Sequence, residues 1–264
     1  MESLARLKVT CEKNTGITHV IMNHPKNLNA LDDEMIEALC YTMQQLNDDL
    51  NVKVIILSAE GPHFSAGGDV KAMHERTGMF GGSPAEIRHH YHTGIQRLPR
   101  MMYRLEVPVI AAIHGYAVGG GADLAAMCDI RIAAEDAIFS ERFVKLGLIS
   151  GDGGAWIWPR LLGVENAYRI LLTGDWIKAE EALRLNMVSE IVTRSQLIDK
   201  AFAMARKIAC NSGDAVRATK RLIREGKQST LEVALDLAAS IQANLHASKE
   251  HQQAIDTLIQ SMKK

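Results

Sequence analysis

The sequence predicts an α/β fold, a core of repeated strand-strand-helix units followed by an all-helical appendage. Three observations carry this. Apolar runs at 17–22, 52–57 and 109–113 have the length and composition of buried strands, and helical patterns follow them. Two of these runs end at glycine-bearing segments, His63-Phe64-Ser65-Ala66-Gly67-Gly68-Asp69 and His114-Gly115-Tyr116-Ala117-Val118-Gly119-Gly120-Gly121-Ala122-Asp123-Leu124. Beyond residue 194 no strand signal remains, which divides the chain into a core, 1–194, and a helical region, 195–264.

The elements follow in order. Residues 8–12 and 17–22 read as strands around the turn Lys13-Asn14-Thr15-Gly16, and 23–29 is a polar loop holding Pro25. Residues 32–49 set Ile36, Leu39, Met43 and Leu46 on one helical face, with acids at the start. The strand 52–57 is broken by Gly61-Pro62, a helix starts at 70–74, and the glycine-rich stretch 78–84 is expected to be mobile. Residues 87–105 look helical, with a kink or split expected at Pro99. Pro108 opens the strand 109–113, then come a short helix, 121–127, and strands at 129–133 and 137–139. A loop, 147–154, leads into a helix with Trp156, Trp158 and Leu161, helices follow at 165–172 and 179–185, and 190–192 is a strand. The tail reads as helices at 195–210, 215–225, 230–246 and 248–262, with Leu231, Ala234, Leu235 and Ala238 forming an apolar stripe.

Composition narrows the function classes. With 264 residues, 47% of them hydrophobic and 23% charged, the chain can bury a substantial core. A formal net charge of −1 argues against nucleic-acid binding driven by overall charge. The four cysteines, Cys11, Cys40, Cys128 and Cys210, lack metal or redox spacing and read as reduced, buried thiols of a cytoplasmic protein. Residues 1–10 lack the apolar core of a secretion signal, and no stretch is apolar enough to span a bilayer, so no membrane partner is expected. His89, His90 and His92 lack the spacing of a helical metal site, and no metal is expected.

A strand that stops at glycines and opens a helix leaves backbone N–H groups facing outward. Two such segments around one pocket could hold an oxygen atom between two amides, which suits chemistry through an enolate or a tetrahedral oxyanion.

The same residues carry a family resemblance over essentially the whole chain. Asn23 to Leu31, Phe64-Ser65-Ala66-Gly67-Gly68-Asp69, Pro108 to Gly115, Gly119-Gly120-Gly121-Ala122-Asp123-Leu124 with Cys128-Asp129, and Leu171-Leu172-Thr173-Gly174 stand in the order and spacing of the crotonase (enoyl-CoA hydratase/isomerase) superfamily, which the chain resembles. The resemblance implies a spiral of ββα units and a C-terminal helical region that builds trimers or dimers of trimers. It implies an acyl-CoA substrate and no cofactor, coenzyme A entering as part of the thioester. By position it makes the N–H groups of Ala66 and Gly120 the oxyanion donors. It places Lys26, Asn27 and Leu28 along the coenzyme A arm, with Gly67, Gly68, Asp69, Val70, Gly119 and Phe143 around the substrate.

The chain departs from the family in its acids. Hydratases of the family use two glutamates; the first is replaced here by Asp123 and the second by Phe143, which cannot exchange a proton. Asp152, in Ser150-Gly151-Asp152-Gly153-Gly154, is the second catalytic candidate beside Asp123. Each has a capping role as its alternative. Glu141 is a third candidate and reads more readily as a solvated charge. His63 and His114 are expected to make structural hydrogen bonds, and Trp156 and Trp158 to fill the core. The leading function is an acyl-CoA-processing enzyme of enoyl-CoA hydratase/isomerase type that stabilises a thioester enolate. The alternatives are hydrolysis of a β-diketone carbon–carbon bond and non-catalytic acyl-CoA binding.

Overall fold

The computed structural model describes residues 6–262. Two antiparallel strands, β1 (Leu7–Glu12) and β2 (Ile17–Met22), lead into α1 (Asp33–Asp48), whose first turn is capped by the Asp32 carboxylate accepting from the Met35 amide at 2.8 Å. Then come β3 (Val54–Ala59), α2 (Val70–Glu75), α3 (Pro84–Thr93), α4 (Arg97–Arg104), β4 (Val109–Ile113), β5 (Tyr116–Val118) and α5 (Gly120–Ala126). The chain continues through β6 (Ile130–Ala134), β7 (Ile138–Ser140), α6 (Gly154–Leu162), α7 (Val164–Thr173), β8 (Ile177–Lys178), α8 (Ala179–Arg184) and β9 (Glu190–Val192). Four helices close it: α9 (Leu197–Ala209), α10 (Gly213–Gly226), α11 (Leu231–His246) and α12 (Lys249–Met262).

The strands build two sheets. The larger runs β1-β2-β3-β4-β6-β9 and is parallel from β2 onward; the smaller runs β5-β7-β8. Each pass therefore adds one strand to the large sheet, and the chain twice turns aside to lay β5 and β7 side by side in the small one. This is the expected spiral of strand-strand-helix turns.

The period-2 geometry of the strands sends alternate residues to opposite faces. Val54, Ile56, Ile110, Ala112, Ile132 and Ala134 meet α9, which offers Leu197, Ala201, Ala205 and Ala209 at every fourth position. Ile55, Leu57, Val109, Ala111 and Ala133 point the other way, into the larger core shared with α1 and α4. Helix α9, from the segment expected as appendage, thus covers one face of β2, β3, β4 and β6. Arg217 of α10 is also buried, donating to the carbonyls of Asn47, Asp49 and Val52. Helices α11 and α12 bury no described residue and leave Leu231, Val233, Leu235, Leu258 and Ile259 exposed.

Several local expectations change. The break in 87–105 falls at Gly94, between α3 and α4, whereas Pro99 sits in the first turn of α4, where a missing N–H costs nothing. Residues 78–84 form a 3₁₀ turn and the Ser83–Glu86 capping box of α3, so that stretch is built rather than loose. Cys11 and Cys210 are exposed, and only Cys40 and Cys128 are buried; burial pushes their thiols up to about 11 and about 12. Strands β5 and β8, only 3 and 2 residues long, were too short to show a period.

Candidate active site

The loop after β3 is threaded between other backbone segments. Phe64 N–H donates to the His114 carbonyl and Ser65 N–H to that of Tyr116, while Val118 N–H donates back to Ser65. Both side chains are fully buried. Ser65 Oγ donates to the Asn29 carbonyl at 2.8 Å and accepts the Gly67 N–H at 3.1 Å. Gly67 has φ +82°, and a Cβ there would lie 2.3 Å from the Val118 carbonyl oxygen and 3.2 Å from the Gly120 nitrogen. Only glycine fits, and it brings the two glycine segments into contact.

This geometry corrects the expected donor pair. The Ala66 N–H is consumed, donating to the Leu28 carbonyl at 3.0 Å. Of the next two amides, Gly67 N–H is also consumed, by Ser65 Oγ, whereas Gly68 N–H has no acceptor among the described residues. In the second segment Gly119 N–H donates to Ser140, whereas Gly120 N–H, at the first position of α5, also has no acceptor among the described residues. Gly119 holds φ +50° and ψ −123°, a conformation closed to other residues, and that twist turns the chain into α5. The free amides next to the contact are therefore those of Gly68 and Gly120.

Behind Gly120 stands a cluster of three carboxyl groups. Asp123 is 1% exposed. Its Oδ2 accepts from Ser150 Oγ at 3.0 Å and its Oδ1 from Trp158 Nε1 at 2.9 Å. The same indole N–H also reaches Glu141 Oε1 at 2.9 Å. Asp152 lies against Gly120, with its Oδ2 2.5 Å from where a Gly120 Cβ would stand. Its Oδ1 is buried without a partner among the described residues, as is Glu141 Oε2.

Burial drives the protonation of all three. It raises the Asp123 carboxyl well above the ordinary range, with the charges of Glu141 and Asp152 adding to the effect. Glu141 is likewise raised well above its usual value by burial and then by Asp152, and burial raises Asp152 too. Three acids packed this closely cannot all ionise near neutrality, so the cluster holds protons that it can exchange.

The capping alternatives fail. Gly119 is the N-cap of α5 and Gly153 that of α6, and neither Asp123 nor Asp152 accepts a capping amide. Glu141, expected as a solvated charge, is instead 1% exposed, because its side chain turns inward from the end of β7 to the Trp158 indole. Trp158 fills the core as expected, yet Trp156 is 40% exposed.

The remaining candidates form the rim. Lys26 and Leu28 are exposed on a 3₁₀ turn, and Asn27 Nδ2 donates to Asp69 at 3.1 Å. Asp69 caps α2 through the Lys71 and Ala72 amides, and those bonds hold its carboxyl below the usual range, Ala72 foremost. Val70 is exposed. The half-buried Phe143 lays its ring against Gly119, 3.3 Å from where a Cβ would be. His114 bonds the Gly61 carbonyl and His63 Nδ1 accepts the Tyr116 N–H, the structural roles expected of both. Among the described residues no group of three or more His, Cys, Asp and Glu is arranged to hold a metal ion, and no helix is long and apolar enough to cross a membrane.

A cavity of about 780 Å³ opens elsewhere, between α6 and α10 at the far end of α5. Of its cations, Arg131, Lys220 and Arg224 are already committed to backbone carbonyls, and the carboxyl cluster does not line it.

The family model described as Enoyl-CoA hydratase/isomerase matches residues 12–263. The short-chain-enoyl-CoA hydratase of Clostridium acetobutylicum is 33% identical over 256 residues, covering 97% of this chain and 95% of its own. The 1,2-epoxyphenylacetyl-CoA isomerase of Escherichia coli K12 is 31% identical, covering 92% of each. Among solved structures, the enoyl-CoA hydratase of Bacillus anthracis superposes with a TM-score of 0.89 at 32% identity, covering 97% of this chain and 96% of its own.

Proposed function

The chain belongs to the enoyl-CoA hydratase/isomerase family and is an acyl-CoA-processing enzyme of that type, and we propose that it works by gathering charge on a thioester oxygen between the Gly68 and Gly120 amides. One observation carries the reading. The carboxyl that lies against Gly120, that of Asp152, keeps an unpartnered buried oxygen, whereas both oxygens of Asp123 are held.

The steps follow from that geometry. The thioester oxygen accepts from the two free amides, which favours the enolate over the neutral ester. The Asp152 carboxylate takes the α-proton. Asp123, pinned by Ser150 and Trp158, stands beside Asp152 as its proton partner. One carboxyl can return the proton at another carbon, which moves a double bond. The Asp123–Asp152 pair can also deliver a water, so hydration stays within reach of the same groups. Phe143 keeps an apolar wall over Gly119 where a second acid would otherwise stand. The exposed 26–28 turn offers a path for the coenzyme A arm.

Self-association as a trimer or a dimer of trimers is part of the proposal, supported by the apolar side chains that α11 and α12 leave in the open. The test is incubation in deuterated water with a panel of saturated and unsaturated acyl-CoAs and a cyclic β-diketone, read by mass. Deuterium at the α-carbon of an acyl-CoA supports the reading. Cleavage of the diketone without any exchange replaces it by the hydrolase. Binding without exchange reduces the chain to an acyl-CoA binder.

A further inference from the structure

We propose that Glu141 is a positioning residue: with Trp158 it clamps the Asp123 carboxyl and sets how tightly Asp123 holds its proton, leaving Asp152 as the acid that faces substrate. This rests on the acyl-CoA reading above and assigns the division of labour within that site.

The geometry is specific. Trp158 has one N–H, and two carboxyl oxygens, Asp123 Oδ1 and Glu141 Oε1, lie at 2.9 Å from its nitrogen. A single hydrogen shared between two acceptors serves neither fully. The pair is at ease only when a proton is kept between the two acids, and Glu141, buried with Oε2 unpartnered, is the acid with nothing else to do. A buried carboxyl whose second oxygen lacks a partner carries a desolvation cost that simple packing would not retain. The titratable groups that face Glu141 are Asp123 from α5 and Asp152 from the loop before α6, with Trp158 of α6 as the neutral donor; Tyr91 of α3 in turn feels Asp152. Removing Glu141 has a definite sign. It releases the whole Trp158 N–H to Asp123 and deletes a neighbouring negative charge, so Asp123 ionises at lower pH.

The experiment reads Trp158 directly. Trp156 and Trp176 are exposed, and the Trp156→Phe/Trp176→Phe variant leaves Trp158 as the one tryptophan. Its emission is titrated against pH with and without Glu141→Gln, which keeps an acceptor for the indole and offers Asp123 a donor. Expected is a fall of the midpoint by about one unit or more, a tenfold change in proton affinity. An unchanged midpoint in Glu141→Gln overturns the proposal. Glu141→Leu, which keeps bulk and removes polarity, must move it in the same direction; a shift the other way also overturns it. No acyl-CoA enters this titration, so the clamp can fail while deuterium exchange persists, or hold while exchange is absent. In an enzyme that does exchange, the limb of the pH–rate profile set by Asp123 moves down with the emission midpoint. A role confined to packing would lower thermal stability and leave both midpoints in place.

Discussion

Replacing Gly68 separates an amide that merely exists from one that acts. A Cβ at position 68 would stand 2.6 Å from the terminal methyl of Met73 and 3.7 Å from the Phe80 ring edge. The Met73 methyl ends a flexible side chain and can swing aside, so Gly68→Ala keeps the N–H at the cost of about 1 kcal/mol in repacking. Gly68→Pro deletes the N–H while adding a ring larger than the alanine methyl. Loss of one oxyanion donor costs about 10²–10³ in kcat, some 3–4 kcal/mol of transition-state stabilisation. Turnover of an enoyl-CoA should therefore fall by that factor between the alanine and proline variants, with acyl-CoA affinity changing less than tenfold. An amide-to-ester exchange at the same position removes the hydrogen without the ring and should give the same loss. Equal turnover in folded Gly68→Ala and Gly68→Pro enzymes would refute the assignment. Ala66→Pro should act differently. Its N–H holds Leu28, so the first effect is lost thermal stability, about 1 kcal/mol or more.

Other outcomes follow from the carboxyl cluster and the tail. Asp152→Asn keeps the shape beside Gly120 and removes the acid, so α-proton exchange should fall at least about 10²-fold with acyl-CoA still bound, as mass-detected exchange and calorimetry would show. Asp123 is held protonated in the fold above its value in the unfolded chain, so the native state binds more protons. Stability then falls as pH rises from the unfolded value toward the folded one. Asp123→Asn removes that dependence, so its unfolding free energy should gain on the parent with rising pH, by up to about 1.4 kcal/mol per pH unit over that window, read by denaturant melts at several pH values; a constant difference would contradict the burial argument. Leu231→Glu with Leu235→Glu should lower the mass in light scattering while the far-ultraviolet dichroism stays the same, since neither side chain is buried in the single chain.

Much of this site was legible because its chemistry is written in backbone geometry. Glycines at 67 and 119 announce left-handed turns and close approach, and the apolar runs before them announce the strands that place those turns. What could not be read was which amide each turn leaves free. That depends on Leu31 donating to Gly67 and Ala66 donating to Leu28, contacts made across more than thirty residues of chain. Glu141 was misjudged for a related reason. At a strand or turn edge it reads as solvated, and only the arrival of Trp158 from α6 explains why it turns inward. The signal that could have found it is the tryptophan itself, since a buried indole N–H needs an acceptor. Asp123 and Asp152 were singled out from their places beside the glycines, but only the structure shows which of their oxygens are held. In the tail, the last strand, β9, ends at Val192 and only helical elements follow among the described residues. The i, i+4 alanines of α9 are small enough to pass for an ordinary helix, and only the sheet face they cover shows them to be core.

The claim beneath all of these is that two main-chain hydrogens polarise one carbonyl. Isotope-edited infrared spectroscopy of a bound, unreactive acyl-CoA labelled with ¹³C at the thioester carbon reads that polarisation directly. The account predicts a carbonyl stretch at lower frequency than in free thioester, with most of the shift lost in Gly68→Pro and kept in Gly68→Ala. A bound carbonyl vibrating at the free frequency in the parent enzyme would contradict it.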